Sequence, residues 1–408
     1  MTSTPPVDDA NRADGPPVEE PLFEVQRPFY LRRRFLHAFI PPFALTVVGL
    51  VALLVSGLLV MVEPVPAPVV TLEGKMGTNA DFFDDEQVQA ILLRHHLRVH
   101  VTNMGSIEAA TTNLDSIDFV FPSGEYAVKL LTQRLADEGR PRFTPLRPFV
   151  SSIVLATYRD YAKTLEEGGL AEPHPGQGVD PLYYDLDIEA FIGLFDSKTS
   201  WNQLRDGRPG PDNGNQVLAQ TTDMCRSNGG AAYLALAAFV VRGAPTTDQE
   251  VIALADEIAP LLRAQGEPVS NPEIYFNEEG RGKVSIIILY EHQYLAHQLR
   301  RRLDHRELDT DKVLLYPDVG LQTGPEFVPL TLNGQRLGEL FATVPELRER
   351  ATQLGFRVLD GSDGELARYL TEQGVPVPDP DIETKVTLPR TDLLTKMIKA
   401  VGECRGVG

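Results

Sequence analysis

The sequence predicts an α/β domain preceded by one transmembrane helix, and three features lead to that reading. Residues 38–62, AFIPPFALTVVGLVALLVSGLLVMV, carry no charge, and about 20 apolar residues suffice to cross a bilayer. Downstream, three β-rich runs each pass into a helix-patterned stretch through a loop of Gly, Ser, Thr, Asn or Pro. That order suits a mostly parallel sheet with its loops gathered at the carboxyl ends of the strands. Residues 284–290, VSIIILY, are apolar almost throughout, as a strand covered on both faces must be.

From the start of the chain, Pro5, Pro6, Pro16, Pro17 and Pro21 stand among Asp and Glu with almost nothing to bury, so residues 1–37 are expected to be a disordered cytoplasmic tail. Within 38–62 the polar side chains are Thr46 and Ser56, whose hydroxyls can return to helix carbonyls. Pro41 and Pro42 fall in the first turns, where a missing N–H costs least. Arg27, Arg32, Arg33 and Arg34 precede the apolar run, whereas Glu63 follows it and no basic residue appears before Lys75. That asymmetry places the N-terminus in the cytoplasm and everything after residue 62 outside the cell membrane. The basic region starts late and no small-x-small site follows closely, which fits an uncleaved single-pass anchor better than a cleaved leader. Residues 63–69, EPVPAPV, read as a short stiff spacer.

The formal charge is −19; residues 1–37 hold five basic and six acidic residues, a net of −1, leaving −18 beyond them. Such an acidic outer part argues against nucleic acid and anionic surfaces as partners. It spans roughly 340 residues, enough for a two-lobed α/β protein. The two cysteines, Cys225 and Cys404, are far apart, and Cys404 falls in a stretch that reads as a polar tail. Two unpaired thiols are therefore expected.

The α/β alternation begins with a strand at 69–72 and a helix over 84–94, where Val88, Ile91 and Leu92 recur at helical spacing. A strand over 97–102 leads through Gly105-Ser106 into a second helix, and a strand over 117–121 leads through Pro122-Ser123-Gly124 into a helix over 125–135. Further on, residues 148–155 form an apolar run with Ser151-Ser152, and the stretch TYRDYAKTLEEGGL is helix-like. Ser227-Asn228-Gly229-Gly230 opens an apolar helix over 231–241, strands are expected over 312–316 and 327–332, and a helix over 344–354.

Several stretches over about residues 69–360 resemble the type II periplasmic solute-binding proteins, particularly the branch of molybdate-, sulfate- and phosphate-like binders. They are GKMGTN at 74–79, Gly105-Ser106, TTDMCRSN, IIILYEHQ, and VLLYPDVGLQTGPEFVPLTLNG followed by GFR. The chain is also similar to singly anchored bacterial proteins carrying such a domain. The resemblance implies two α/β lobes joined by crossing strands, with a small solute captured between them as they close about a hinge. It places lobe one at about 70–150 and 300–400, lobe two at about 151–299, and the crossings near 151–157 and near Tyr290. Transport or sensing would be the purpose, with a transporter or another envelope protein as partner. A second class stays open: an interaction or sensory ectodomain that kept the fold, in which side chains such as Met76 or Tyr126 plug the cleft.

The candidate ligand-binding residues occupy strand-to-helix loops, where unsatisfied helix N–H groups hold an anion or carbonyl without a basic side chain. They are Thr78, Asn79, Ser106, Ser123, Ser227 and Asn228, together with Tyr290 and Glu291 at the end of the strongest strand. Each Ser, Thr or Asn also suits a plain helix cap, and Tyr290 a strand-end packing role. Lys75 and Arg226 beside these loops favour an oxyanion or small acidic ligand, whereas Asp223 and Glu291 favour a cationic or polyhydroxyl one. His95, His96 and His100 do not complete a four-ligand zinc set, so no metal is expected. The chain has no Gly-x-Ser-x-Gly elbow, P-loop or dinucleotide fingerprint, so neither an enzyme nor a cofactor is expected.

Overall fold

The structure, a computed structural model, describes residues 42–54, 68–77, 80–359, 364–378 and 385–404. Met1–Ala67 and Pro68–Gly408 form separate units. In the first, residues 42–54 are helical (α1) with exposed side chains, and the Thr46 hydroxyl donates to the Pro42 carbonyl at 2.8 Å. This helix covers the middle of the expected 38–62 span. The ends of that span, the tail 1–37 and most of the spacer lie outside the described residues. Among the described residues no helix is long and apolar enough to cross a membrane.

The second unit opens with β1 (Val70–Met76), α2 (Ala80–Asp84), α3 (Glu86–Arg94), β2 (Leu97–Asn103), α4 (Ser106–Thr111), β3 (Phe119–Phe121) and α5 (Glu125–Asp137). The helix expected over 84–94 is interrupted at Asp85, whose carboxylate accepts from the N–H groups of Gln87 and Val88 and so starts α3 afresh. β1 runs parallel to both β2 and β3, with Val70 opposite Leu97 and Gly74 opposite Phe119. The core of this first lobe is rich in phenylalanine: Phe82, Phe83, Phe119, Phe121, Phe149 and Phe341 meet mostly edge-on or tilted, as ring quadrupoles prefer.

The chain then enters a second sheet through β4 (Phe149–Tyr158), followed by α6 (Arg159–Glu167), β5 (Ala171–Pro173), β6 (Tyr183–Leu186), α7 (Ile188–Gly193), α8 (Trp201–Arg205), α9 (Asn228–Arg242) and α10 (Asp248–Ala264). β7 (Ile286–Tyr290), α11 (Glu291–His305), β8 (Lys312–Pro317) and β9 (Leu321–Thr323) complete it. The apolar run read as a buried strand is β7, with all five residues buried. The parallel arrangement expected of the first three strands is that of β1, β2 and β3, whereas this second sheet is mostly antiparallel: β4 pairs antiparallel with β7, β8 and β9, while β6 and β8 run parallel.

Residues after β9 return to the first lobe as β10 (Val328–Pro329), α12 (Leu332–Thr343) and α13 (Pro345–Gln353). β11 (Arg357–Val358) then pairs with the start of β4. The second crossing therefore lies at 321–327, where β9 and the Leu146↔Phe327 bridge run beside β4, rather than near Tyr290. Tyr290 sits opposite Ile153 inside the second sheet, so the chain cannot leave there. For the same reason the part of 300–400 that belongs to lobe one is only about 324–358. β8 pairs within the second sheet, and α14 (Glu365–Gln373) and α15 (Thr391–Gly402) bury Leu366, Leu370, Leu394 and Met397 in the second core.

The expectation of two free thiols is corrected: Cys225 and Cys404 form a disulfide. The stretch read as a polar tail is helix α15, whose buried face of Leu393, Leu394, Met397, Ile398 and Val401 docks on lobe two and carries Cys404 to the loop before α9. Polar residues between those positions hide the 3.6-residue spacing from a composition-based reading.

Candidate functional site

Between the lobes lies a cleft of about 820 Å3. Lobe one contributes the carboxyl ends of its parallel strands: Gly77 after β1, Asn103, Met104 and Gly105 after β2, and Ser123 after β3, with Asp81, Ser106 and Glu108 from the helices. Lobe two contributes Thr222, Asp223, Arg226 and Ser227 from the loop before α9, residues 268–273, and Tyr290 with Gln293. The strand-to-helix loops meet here because a parallel sheet puts them all on one edge.

Four of the eight candidate residues form one hydrogen-bonded chain across the lobes. The Ser106 hydroxyl accepts from the Ser123 N–H at 3.0 Å and donates to the Ser123 hydroxyl at 3.2 Å. Ser123 and the Asn228 amide, the latter at 3.2 Å, both hydrogen-bond the Tyr290 hydroxyl. Burial raises the Tyr290 pKa to about 12 despite these two bonds, so the phenol stays neutral. Gly77 makes room for the two serines, since a Cβ there would sit 2.7 Å from the Ser106 hydroxyl and 2.9 Å from that of Ser123. Ser227 caps α9, accepting from the Gly229 N–H at 3.2 Å and from the Thr222 hydroxyl at 2.8 Å.

Asn228 is buried behind the cleft wall and also lines a small cavity of about 70 Å3 with Tyr126 and Thr323. Glu291 does not line the cleft. It is 1% exposed and turns the other way, its two oxygens each 2.8 Å from the Arg357 guanidinium, with the Tyr316 hydroxyl donating at 2.9 Å. Thr78 and Asn79 lie outside the described residues.

Of the two expected cations, Lys75 is buried away from the cleft, its ammonium donating to the Thr112 hydroxyl at 3.0 Å and to the Asn113 carbonyl, with burial lowering its pKa. Arg226 does line the cleft, but its guanidinium grips Glu108 of lobe one through contacts of 2.6–3.0 Å. Its carbonyl also accepts the N–H groups of Ile107 at 2.9 Å and Glu108 at 3.1 Å, so lobe two caps the first turn of α4. Gly105 permits this approach, because a Cβ there would stand 2.2 Å from the Arg226 carbonyl oxygen. Met76, in the phenylalanine core, and Tyr126, bonded to the Thr395 hydroxyl at 2.9 Å, do not line the cleft.

Sequence reasoning missed Asp81, Glu273 and Gln293. Burial raises the pKa of both Asp81 and Glu273; the charge of Asp81 raises that of Glu273 further, and Arg300 partly offsets both. Gln293 stands three residues after Tyr290 and its side-chain oxygen accepts from the Tyr290 N–H at 3.0 Å, a capping role that a Tyr at the helix start does not announce in the sequence. His100 meets Glu73 at 2.6 Å, a bond that raises the imidazole pKa.

No family model matches the chain, and no curated protein matches it. Among solved structures, the apo ferric ion-binding protein A of Pasteurella haemolytica is similar with a TM-score of 0.47 at 8% identity, over 82% of this chain and 96% of that one. AfuA, a periplasmic binding protein from Actinobacillus pleuropneumoniae with fructose-6-phosphate bound, aligns with a TM-score of 0.46 at 11% identity, over 82% and 97%. The periplasmic molybdate-binding protein of Azotobacter vinelandii gives 0.40 at 11% identity, over 71% and 100%. Two of these three neighbours are periplasmic binding proteins, and the level of likeness assigns this chain no ligand.

Proposed function

We propose that this chain is a membrane-anchored, extracytoplasmic binding protein that captures a small polar solute in the cleft between its lobes, for transport or sensing. The observation that carries the reading is the cleft itself: about 820 Å3 at the carboxyl ends of parallel strands, with neutral donors and acceptors on both walls. Two further observations support the location. Residues 38–62 are uncharged with arginines on one flank, and the Cys225–Cys404 bridge belongs to a protein kept in an oxidising compartment. Protease added to cells stripped of their wall is expected to digest the cleft domain; its protection would overturn the outward orientation.

The lining points to a cationic or polyhydroxyl solute rather than an oxyanion. Asp81, Glu108, Asp223 and Glu273 face the cleft, whereas the lining cation, Arg226, is held by Glu108, and Lys75 is turned away. In a thermal-shift screen of the full chain in detergent, spermidine, lysine, arginine or a sugar is expected to raise the melting temperature. A ligand at 100 times its Kd adds about 2.7 kcal/mol. A cationic ligand's affinity is expected to fall as pH drops through the raised range of Asp81 and Glu273, because protonation removes the charge it pairs with. Stabilisation by molybdate, sulfate or phosphate alone would overturn the charge argument.

The interaction-module reading keeps one specific observation. The Ile107 and Glu108 N–H groups and the hydroxyls of Ser106, Ser123 and Tyr290 already bond within the protein. A screen in which no solute of any class stabilises the chain would favour it.

A further inference from the structure

Helix α15 and the loop before α9 are joined by the Cys225–Cys404 bridge, and each touches lobe one at a different place. On the helix, the Thr395 hydroxyl meets the Tyr126 hydroxyl of α5 at 2.9 Å. On the loop, Arg226, next to Cys225, caps α4 with its carbonyl and holds Glu108 with its guanidinium. The helix is seated on lobe two by its apolar face and by the Lys396 ammonium, 2.6 Å from both Asp248 oxygens. Within the loop, the Asp223 carboxylate accepts from the Cys225 N–H at 2.8 Å, so the half-cystine and the gripping arginine belong to one turn.

We propose that this disulfide is a redox-sensitive clamp on lobe closure: intact, it presses the Arg226 turn against α4, and opened, it lets the lobes part. Cys225 is 7% exposed and Cys404 more accessible, so an external dithiol reaches the Cys404 sulfur first. A thiolate of the dithiol forms a mixed disulfide with Cys404 and Cys225 leaves as a thiolate that takes up a proton. The second thiol of the reductant then displaces the Cys404 thiol. Two electrons pass to the protein, giving two thiols, and the dithiol becomes a disulfide. The clamp stands on contacts between the lobes and does not depend on which solute fills the cleft.

The test is amide hydrogen exchange on the full chain in detergent, comparing the oxidised protein, the same protein after dithiothreitol, and Cys404→Ser. The N–H groups of Ile107 and Glu108, whose acceptor is the Arg226 carbonyl, are expected to exchange about tenfold faster in both bridge-free states. Leu72 and Val99 in the paired strands β1 and β2 are expected to keep their protection. If Cys404→Ser does not fold, dithiothreitol added to the folded oxidised protein supplies the same readout. Equal protection of Ile107 and Glu108 with and without the bridge would overturn the clamp, and so would a uniform rise in exchange across the domain, which marks general loss of stability.

Discussion

Replacing Arg357 with Met is expected to cost about 3–5 kcal/mol of stability, because it leaves a buried carboxylate without its counter-charge. Glu291 is 1% exposed and sits at the start of α11, with Arg357 engaging both its oxygens and Tyr316 donating a hydrogen bond. Since β11 pairs with Val150 of β4, the ion pair fastens the first helix after β7 to the strand that links the two lobes. Urea unfolding of wild type and Arg357→Met measures the loss. The double variant Arg357→Met/Glu291→Leu is expected to recover much of it, since a pair replaced by apolar groups leaves no charge stranded. A loss below about 1 kcal/mol in the single variant would mean that water reaches Glu291 and that the pair is merely a surface contact.

Gly105→Ala is expected to force the lobes apart. Its Cβ would stand 2.2 Å from the Arg226 carbonyl oxygen, a backbone atom that no side-chain rotation can move aside. The N–H groups of Ile107 and Glu108 then lose their acceptor, and the Arg226–Glu108 contact lengthens. The radius of gyration by small-angle scattering is expected to rise. Any solute that stabilises the wild type is expected to bind at least about tenfold more weakly, or about 1.4 kcal/mol. Gly178→Ala serves as control, having nothing within 4 Å of the added Cβ. Unchanged scattering and affinity in Gly105→Ala would show that the present approach of the lobes plays no part in binding.

Much of the first lobe was legible because its signals are local. Gly105-Ser106 and Pro122-Ser123-Gly124 mark strand-to-helix turns there, and in the second lobe β7 is equally local, being apolar along its whole length. What was not legible depends on contacts between distant parts of the chain. Adjacent positions at a strand end face opposite ways, so Tyr290 reached the cleft while Glu291 turned to Arg357, whose place in the sheet no nearby residue reveals. The disulfide and the return of α15 to lobe two depend on docking against α10, nearly a hundred and fifty residues earlier in the chain by the Lys396–Asp248 pair. Asp81 and Glu273 look like ordinary surface acids until the lobes bring them to one cavity.

The central place of β4 has a consequence for how the protein is made. Leu155 pairs with Ile288 on one neighbour and Leu315 on another, and Val150 waits for Arg357. A ribosome adds about 5–20 residues per second, so FVSSIVLATY emerges on the order of ten seconds before its partners exist. An uncharged, β-branched segment left unpaired that long is a template for association with other nascent chains. Production of the folded domain is therefore limited by how well this one segment is shielded during synthesis, and a holding chaperone is expected to raise yield more than any change to the cleft.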